Sequence, residues 1–238
     1  MDRVSDITRG AEKNHHYGEA TASMVNEAYA RGIESAVLLM RHSARTFDPD
    51  IHDLLNPLTA HGQALSRRFG ESLPKSAYLR GYASPPDRCM DTAKLAIAAH
   101  KDSGGRAGRV TPLEALGVFY ALDQRKMWKG LSLAGGLPNY LEQWFDDAVP
   151  SDAMMPASVA VDMILRALIG KLCDPKVHPN QLSLCVSHDM TVYTVRHGVG
   201  LEGLHGPEVE FLDGLLLFQR GKRFYMRSQF GKEVEVGI

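Results

Sequence analysis

Three short clusters carry the reactive side chains of this sequence: Arg41-His42-x-x-Arg45, Ser84-x-x-x-Arg88 and His188-Asp189. Together they offer two histidines, three arginines and one carboxylate. The planar fork of arginine matches phosphate oxygens two at a time and stays charged at any relevant pH. Three arginines brought to one point call for a dianion, and phosphate is the natural candidate. A neutral imidazole can attack phosphorus and carry the phosphoryl group covalently. A second imidazole can donate to an equatorial oxygen and stabilise charge there. A histidine pKa near 6.5 leaves an unprotonated ring nitrogen near neutrality, as a nucleophile needs. Asp189 could protonate the departing alkoxide if its pKa were raised, and the charge of a bound phosphate would raise it.

Elements must bring these clusters together. Ala36–Met40 is an unbroken apolar run bounded by charge, the pattern of a strand covered on both faces, and it ends directly in Arg41-His42. Leu182-Ser-Leu-Cys-Val186 is a second buried-strand candidate and ends in Ser187-His188-Asp189. A short strand over Leu79–Ala83 ends in Ser84. Open α/β sheets place ligands at the carboxyl ends of their strands, where all three clusters fall. Helices are expected over Glu19–Arg31 with Gly32 at its end, from a Thr59 cap to about Leu73, and over Asp91–His100, Tyr140–Asp147, Ser158–Leu172 and Thr191–Val199. Lys101–Arg109 reads as a Gly-rich polar loop, and Phe211–Gln219 with Arg223–Gln229 as a hairpin turned at Arg220-Gly221-Lys222. The expectation is one α/β domain over 19–238, with a mostly parallel central sheet and helices on both faces, preceded by a polar lead-in over 1–18 that contains His15-His16.

Composition narrows the function classes. Twenty-seven basic against 28 acidic residues give a net charge of −1, so no bulk charge steers the chain to nucleic acid or anionic lipid. Cys89, Cys173 and Cys185 are far apart and form no CxxC pair, which argues against a disulfide framework or a structural zinc site. The first thirty residues lack the apolar core of a signal peptide, and no apolar run approaches a membrane span. A soluble cytoplasmic protein without a metal or other cofactor is the expectation. Gly130-Leu-Ser132-Leu-Ala-Gly135 has the wrong spacing for a serine-hydrolase elbow, no GxGxxG follows a strand, and nothing resembles HExxH or a P-loop.

Four motifs then occur in one order: Val37-Leu-Leu-Met-Arg41-His42, Leu58-Thr59-x-x-Gly62, Ser84-Pro85-x-x-Arg88-x-x-x-Thr92-Ala93, and Val186-Ser187-His188-Asp189. In this the chain resembles the histidine phosphatase superfamily, which holds phosphoglycerate mutases and histidine acid phosphatases. The resemblance spans roughly Ala36 to Val192. It implies a phosphoglycerate mutase-like fold and phosphomonoester hydrolysis through a phosphohistidine at His42. Arg41, Arg45, Arg88 and His188 would form the phosphate pocket, with Ser84 beside them. For the proton donor it implies Asp189, as in the acid phosphatase branch, with Glu114 of Thr111-Pro-Leu-Glu114 the candidate under the mutase pattern. The usual Arg-His-Gly is Arg41-His42-Ser43 here, and no proline follows Arg45. Neither departure removes a charged group.

Two other functions fit the same residues: a mutase or phosphotransferase, and a module that binds phosphate or phosphoprotein without turnover. The expected partner is a phosphorylated small molecule or phosphoprotein, whichever function holds. The second Arg-His-Gly, Arg196–Gly198, follows no buried strand and reads as surface or as support behind the site. Val118–Leu133, with Phe119, Tyr120, Arg125, Lys126, Trp128 and Lys129, reads either as a lid over the pocket or as an amphipathic surface segment.

Overall fold

A computed structural model describes residues 16–48, 50–174 and 176–237. His15 and most of the polar lead-in lie outside the described residues. Seven strands make one sheet: β1 (Ala36–Arg41), β2 (Tyr78–Ala83), β3 (Arg106–Pro112), β4 (Gln181–Ser187), β5 (Gly214–Arg220), β6 (Arg223–Ser228) and β7 (Glu233–Val236), in the order β3-β2-β4-β1-β5-β6-β7. The first four are mutually parallel, and β5, β6 and β7 extend the sheet as an antiparallel meander. β1 and β4 sit in the middle. Ala36–Met40 and all of β4 are buried, so Ala36–Met40 reads as a continuous apolar run, while β4 carries Gln181, Ser183 and Ser187 buried among its apolar residues.

Helices α1 (Glu19–Ala30), α2 (Ala60–Ser72) and α3 (Asp87–Asp102) cover one face of the sheet. The other is covered by α4 (Gln124–Ala134), α5 (Leu137–Phe145), α6 (Ala157–Leu172) and α7 (Asp189–Gly198). Alternation along β1 divides the two cores: Leu38 and Met40 join α1–α3, while Val37 and Leu39 join the α5–α7 side. No helix among the described residues is long and apolar enough to cross a membrane.

Three regions differ from or add to the reading of the sequence. Lys101–Arg109 is not a loop: α3 runs to Asp102, and Arg106–Pro112 is the edge strand β3. Paired on one side only, β3 keeps its polar residues in partial contact with solvent. Its sequence therefore lacks the apolar signature of a buried strand. β7 and the helix α4 were not anticipated. Val118–Leu133 is divided: from Gln124 on it belongs to the surface helix α4, whose one buried residue is Met127, as the surface-segment reading expects, while the part before it packs inward. Tyr120 is fully buried, stacked on Trp144 at 5.2 Å and hydrogen-bonded to Thr191 Oγ1 at 3.0 Å, beneath the start of α7.

Thr59 caps α2 as its position predicted, accepting from the Gly62 amide at 2.9 Å. Gly62 is required by packing. A Cβ there would stand 1.9 Å from the Ala44 carbonyl oxygen, so only glycine lets α2 approach the chain just beyond His42.

Candidate active site

β2, β4 and β1 are adjacent and parallel, so their carboxyl ends share one edge of the sheet. Arg41 is registered with Ser187, and Ala83 with Val186. The next residues, His42, His188 and Ser84, therefore emerge side by side. The two imidazoles stand 5.7 Å apart, nearly perpendicular, and both are buried.

Arg88, in the first turn of α3, ties the cluster together. Its Nε donates to His42 Nε2 at 3.2 Å, and its Nη2 lies 3.4 Å from His188 Nδ1. A guanidinium only donates, so both of those imidazole nitrogens are acceptors. His42 then carries its proton on Nδ1, which donates to the Ser43 carbonyl at 2.8 Å, and its Nε2 keeps a lone pair facing the arginines. For His188 the proton falls on Nε2, 2.9 Å from Ser84 Oγ.

Burial drives the His42 pKa well below its ordinary value, with Arg41, His188 and Arg88 acting in the same direction. Burial and Arg88 likewise bring His188 down to about 4. Both rings are neutral near pH 7.

Arg41 lies 4.2 Å over the Phe211 ring, donates from Nη1 to the Val209 carbonyl at 2.7 Å, and pairs through Nη2 with Asp189 at 3.0 Å. Its Nε is buried and without an acceptor. Phe211 also faces His42, at 6.0 Å, and is braced edge-on by Tyr17 at 5.5 Å. Arg45 and Arg88 share the carboxylate of Asp53, at 2.7 and 3.0 Å. Burial pushes the Asp189 carboxyl up. Arg41, the Met190 amide, His188 and Arg45 together pull it further down, so it sits below its ordinary value and is ionised in this arrangement. The raised pKa expected of a donor is not a property of Asp189 while Arg41 holds it.

Of the predicted site residues, His42, His188, Arg41, Arg45, Arg88, Ser84 and Asp189 fall in this one cluster. Glu114 is exposed on a 3-10 turn, Glu114–Leu116, whose backbone is fastened to the site by a 2.6 Å bond from Ser187 Oγ to the Leu116 carbonyl. Sequence reasoning missed Asp53, Phe211 and the Val209 carbonyl. It quoted Thr92 without a role. The Thr92 hydroxyl accepts from the Ser43 amide at 3.1 Å and donates to the Arg88 carbonyl at 2.7 Å, locking the His42 turn to α3. Cys89 also lies here, with Sγ 3.8 Å from His188 Nε2, but burial pushes its thiol up to about 12, so it is no thiolate nucleophile. Arg196, from the second Arg-His-Gly, is buried behind the site over the Tyr193 ring, and Tyr193 holds the Val209 amide at 3.0 Å.

No family model and no curated protein sequence matches the chain. Solved structures do. The chain is similar to Bacillus stearothermophilus YhfR at 17% identity and a TM-score of 0.59, covering 83% of this chain and 98% of that one. It is similar to a candidate alpha-ribazole-5'-P phosphatase from Escherichia coli at 19% identity and a TM-score of 0.52, covering 86% and 100%. A phosphoglycerate mutase from Bacillus anthracis aligns at 17% identity and a TM-score of 0.50, covering 86% and 93%. At these identities the shared property is the fold.

Proposed function

The chain has the phosphoglycerate mutase-like fold that its ordered motifs imply, and from this premise we propose that it is a metal-independent phosphomonoester hydrolase working through a covalent phosphohistidine at His42. One observation carries the reading. His42 Nε2 accepts from Arg88 while Nδ1 is tied to the Ser43 carbonyl, so a neutral imidazole keeps a lone pair among three guanidinium groups. Nothing in a purely structural histidine calls for that concentration of positive charge.

In the proposed reaction His42 Nε2 attacks phosphorus in line, forming an N–P bond as the P–O bond to the leaving group breaks. Arg41, Arg45, Arg88 and His188 hold the equatorial oxygens and supply the charge stabilisation that a metal gives elsewhere. The unspent Nε donor of Arg41 suits one of these oxygens. Asp189 is the proposed proton donor. When Arg41 turns to phosphoryl oxygens the carboxylate loses the partner that keeps it ionised, and it can take the proton that a monoanionic ester brings. It gives that proton to the leaving oxygen. It then receives one from the water that attacks phosphohistidine, releasing phosphate and restoring His42. Glu114, exposed on the 114–116 turn, is kept as the alternative donor.

The test is hydrolysis of p-nitrophenyl phosphate with EDTA present. The wild type turns over and forms an acid-labile phosphoprotein, and His42→Ala does neither. Activity that vanishes on chelation, or that survives His42→Ala, overturns the proposal. Transfer to an added alcohol in preference to water would instead identify a phosphotransferase.

A further inference from the structure

Asp53 occupies the place in this pocket where chemistry calls for phosphate. It lies on a 3-10 turn, Asp53–Leu55, in the segment 47–56 that links the His42 turn to α2. Oδ1 is 2.7 Å from Arg45 Nη2 and Oδ2 is 3.0 Å from Arg88 Nη2, so one carboxylate spans two guanidinium groups. The Asp53 carbonyl also accepts from Arg88 Nη1 at 2.7 Å. With Nε on His42, all three nitrogens of Arg88 are engaged; Asp53 takes Nη1 and shares Nη2 with His188. A phosphoryl group reaching His42 Nε2 needs the same donors.

Among the described residues of the segment, Phe47 lies under the Arg45 guanidinium at 5.6 Å, and few other contacts hold its middle down. Its base is closed by the Arg45–Leu58 bridge and by the Thr46 amide on the Pro57 carbonyl at 2.9 Å. Asn56 is buried and pins the Asp48 amide at 2.9 Å. Beyond that, no residue of the 3-10 turn is buried, and Phe47, Ile51, Leu54 and Leu55 are all exposed. Its described residues are fixed at both ends and are latched in the middle by the carboxylate and carbonyl of Asp53.

We infer that Asp53 and the phosphoryl group of the substrate compete for Arg45 and Arg88, so that binding expels Asp53 and releases the segment 47–56. The inference rests on the phosphatase reading and adds a specific element to it: an internal anion that sets the affinity for phosphate. A dianion brings more charge and more acceptor oxygens to the two forks than a carboxylate does, which favours the exchange. The opposite role is also chemically reasonable. A carboxylate can preorganise two arginines, and its loss then weakens binding. The two roles differ in sign.

The experiment is calorimetric titration of inorganic phosphate into the wild type and Asp53→Asn, with hydrogen exchange of the 47–56 peptide as a second readout on the wild type alone. Competition predicts binding about tenfold tighter in Asp53→Asn, the scale of one charge-assisted hydrogen bond. It also predicts faster exchange over 47–56 when the wild type is saturated with phosphate. Equal or weaker phosphate binding by Asp53→Asn, or exchange that phosphate leaves unchanged or slows, overturns the inference while the phosphatase reading stands on wild-type turnover. A wild type that neither binds phosphate nor hydrolyses an aryl phosphate overturns both.

Discussion

Arg88→Lys isolates what the guanidinium fork contributes, because it keeps the charge and removes the geometry. Arg88 is 4% exposed and bonds His42 Nε2 at 3.2 Å, the Asp53 carbonyl at 2.7 Å and Asp53 Oδ2 at 3.0 Å. An ammonium placed to reach one of these points cannot reach the other two. In the transition state the corresponding loss is two hydrogen bonds to a charged phosphoryl group, each worth about 1.5–3 kcal/mol. The retained charge argues for the lower end, about 3 kcal/mol, which is roughly a 10²-fold drop in kcat/KM. The assay is steady-state hydrolysis of an aryl phosphate, run beside circular dichroism so that loss of fold is distinguished from loss of chemistry. A folded Arg88→Lys protein within about threefold of wild type would refute the reasoning, since Arg88 would then be a source of charge and not of aligned donors.

Two further outcomes follow from the same geometry. Burial, helped by Arg88, brings His188 from an ordinary 6.5 to about 4, so the unfolded chain binds a proton in that interval that the folded chain refuses. Stability is therefore lost as pH falls from about 6.5 to 4, by at most about 3 kcal/mol from this residue. Urea midpoints measured across the interval should flatten in His188→Gln, and an unchanged slope would remove His188 as the cause. Gly62→Ala forces a Cβ to within 1.9 Å of the Ala44 carbonyl, between two stretches of backbone that cannot yield cheaply. The expected cost is about 3 kcal/mol, at the upper end for overpacking, and a Tm within 2 °C of wild type would show that the α2 contact is not tight.

What the sequence disclosed depends on where each residue's partners lie. β1 and β4 announced themselves because strands covered on both faces are rich in apolar residues, even though β4 buries Gln181, Ser183 and Ser187 as well. β3 has one neighbour and stays half in water, so Arg106–Pro112 carries no such mark. α4 was hidden for a related reason: Met127 is its one buried residue, which leaves no apolar stripe to read. The site follows the same rule. Residues delivered by strand ends were visible through the order of their motifs. Asp53 meets Arg88 across 35 residues of chain, and the Val209 carbonyl meets Arg41 across 168. Those contacts exist only once the fold has closed, and no local pattern foretells them.

The arrangement also explains why the arginines and the nucleophile belong together. On the phosphatase reading, a histidine with its ordinary pKa would be largely protonated in mildly acidic solution and unable to attack. Burial beside Arg41 and Arg88 disfavours that proton, so the groups that bind phosphate also keep His42 supplied with a lone pair. The same field acts in the opposite sense on the two carboxylates. Arg41 keeps Asp189 ionised, and Arg45 with Arg88 holds Asp53. Three cations are therefore offset by two anions before any phosphate arrives. A phosphoryl dianion that takes over the guanidinium groups frees Asp189 to accept a proton and Asp53 to leave. One exchange of partners would thus load the donor and open the rim, while His42, whose Nδ1 remains on the Ser43 carbonyl, keeps its orientation throughout.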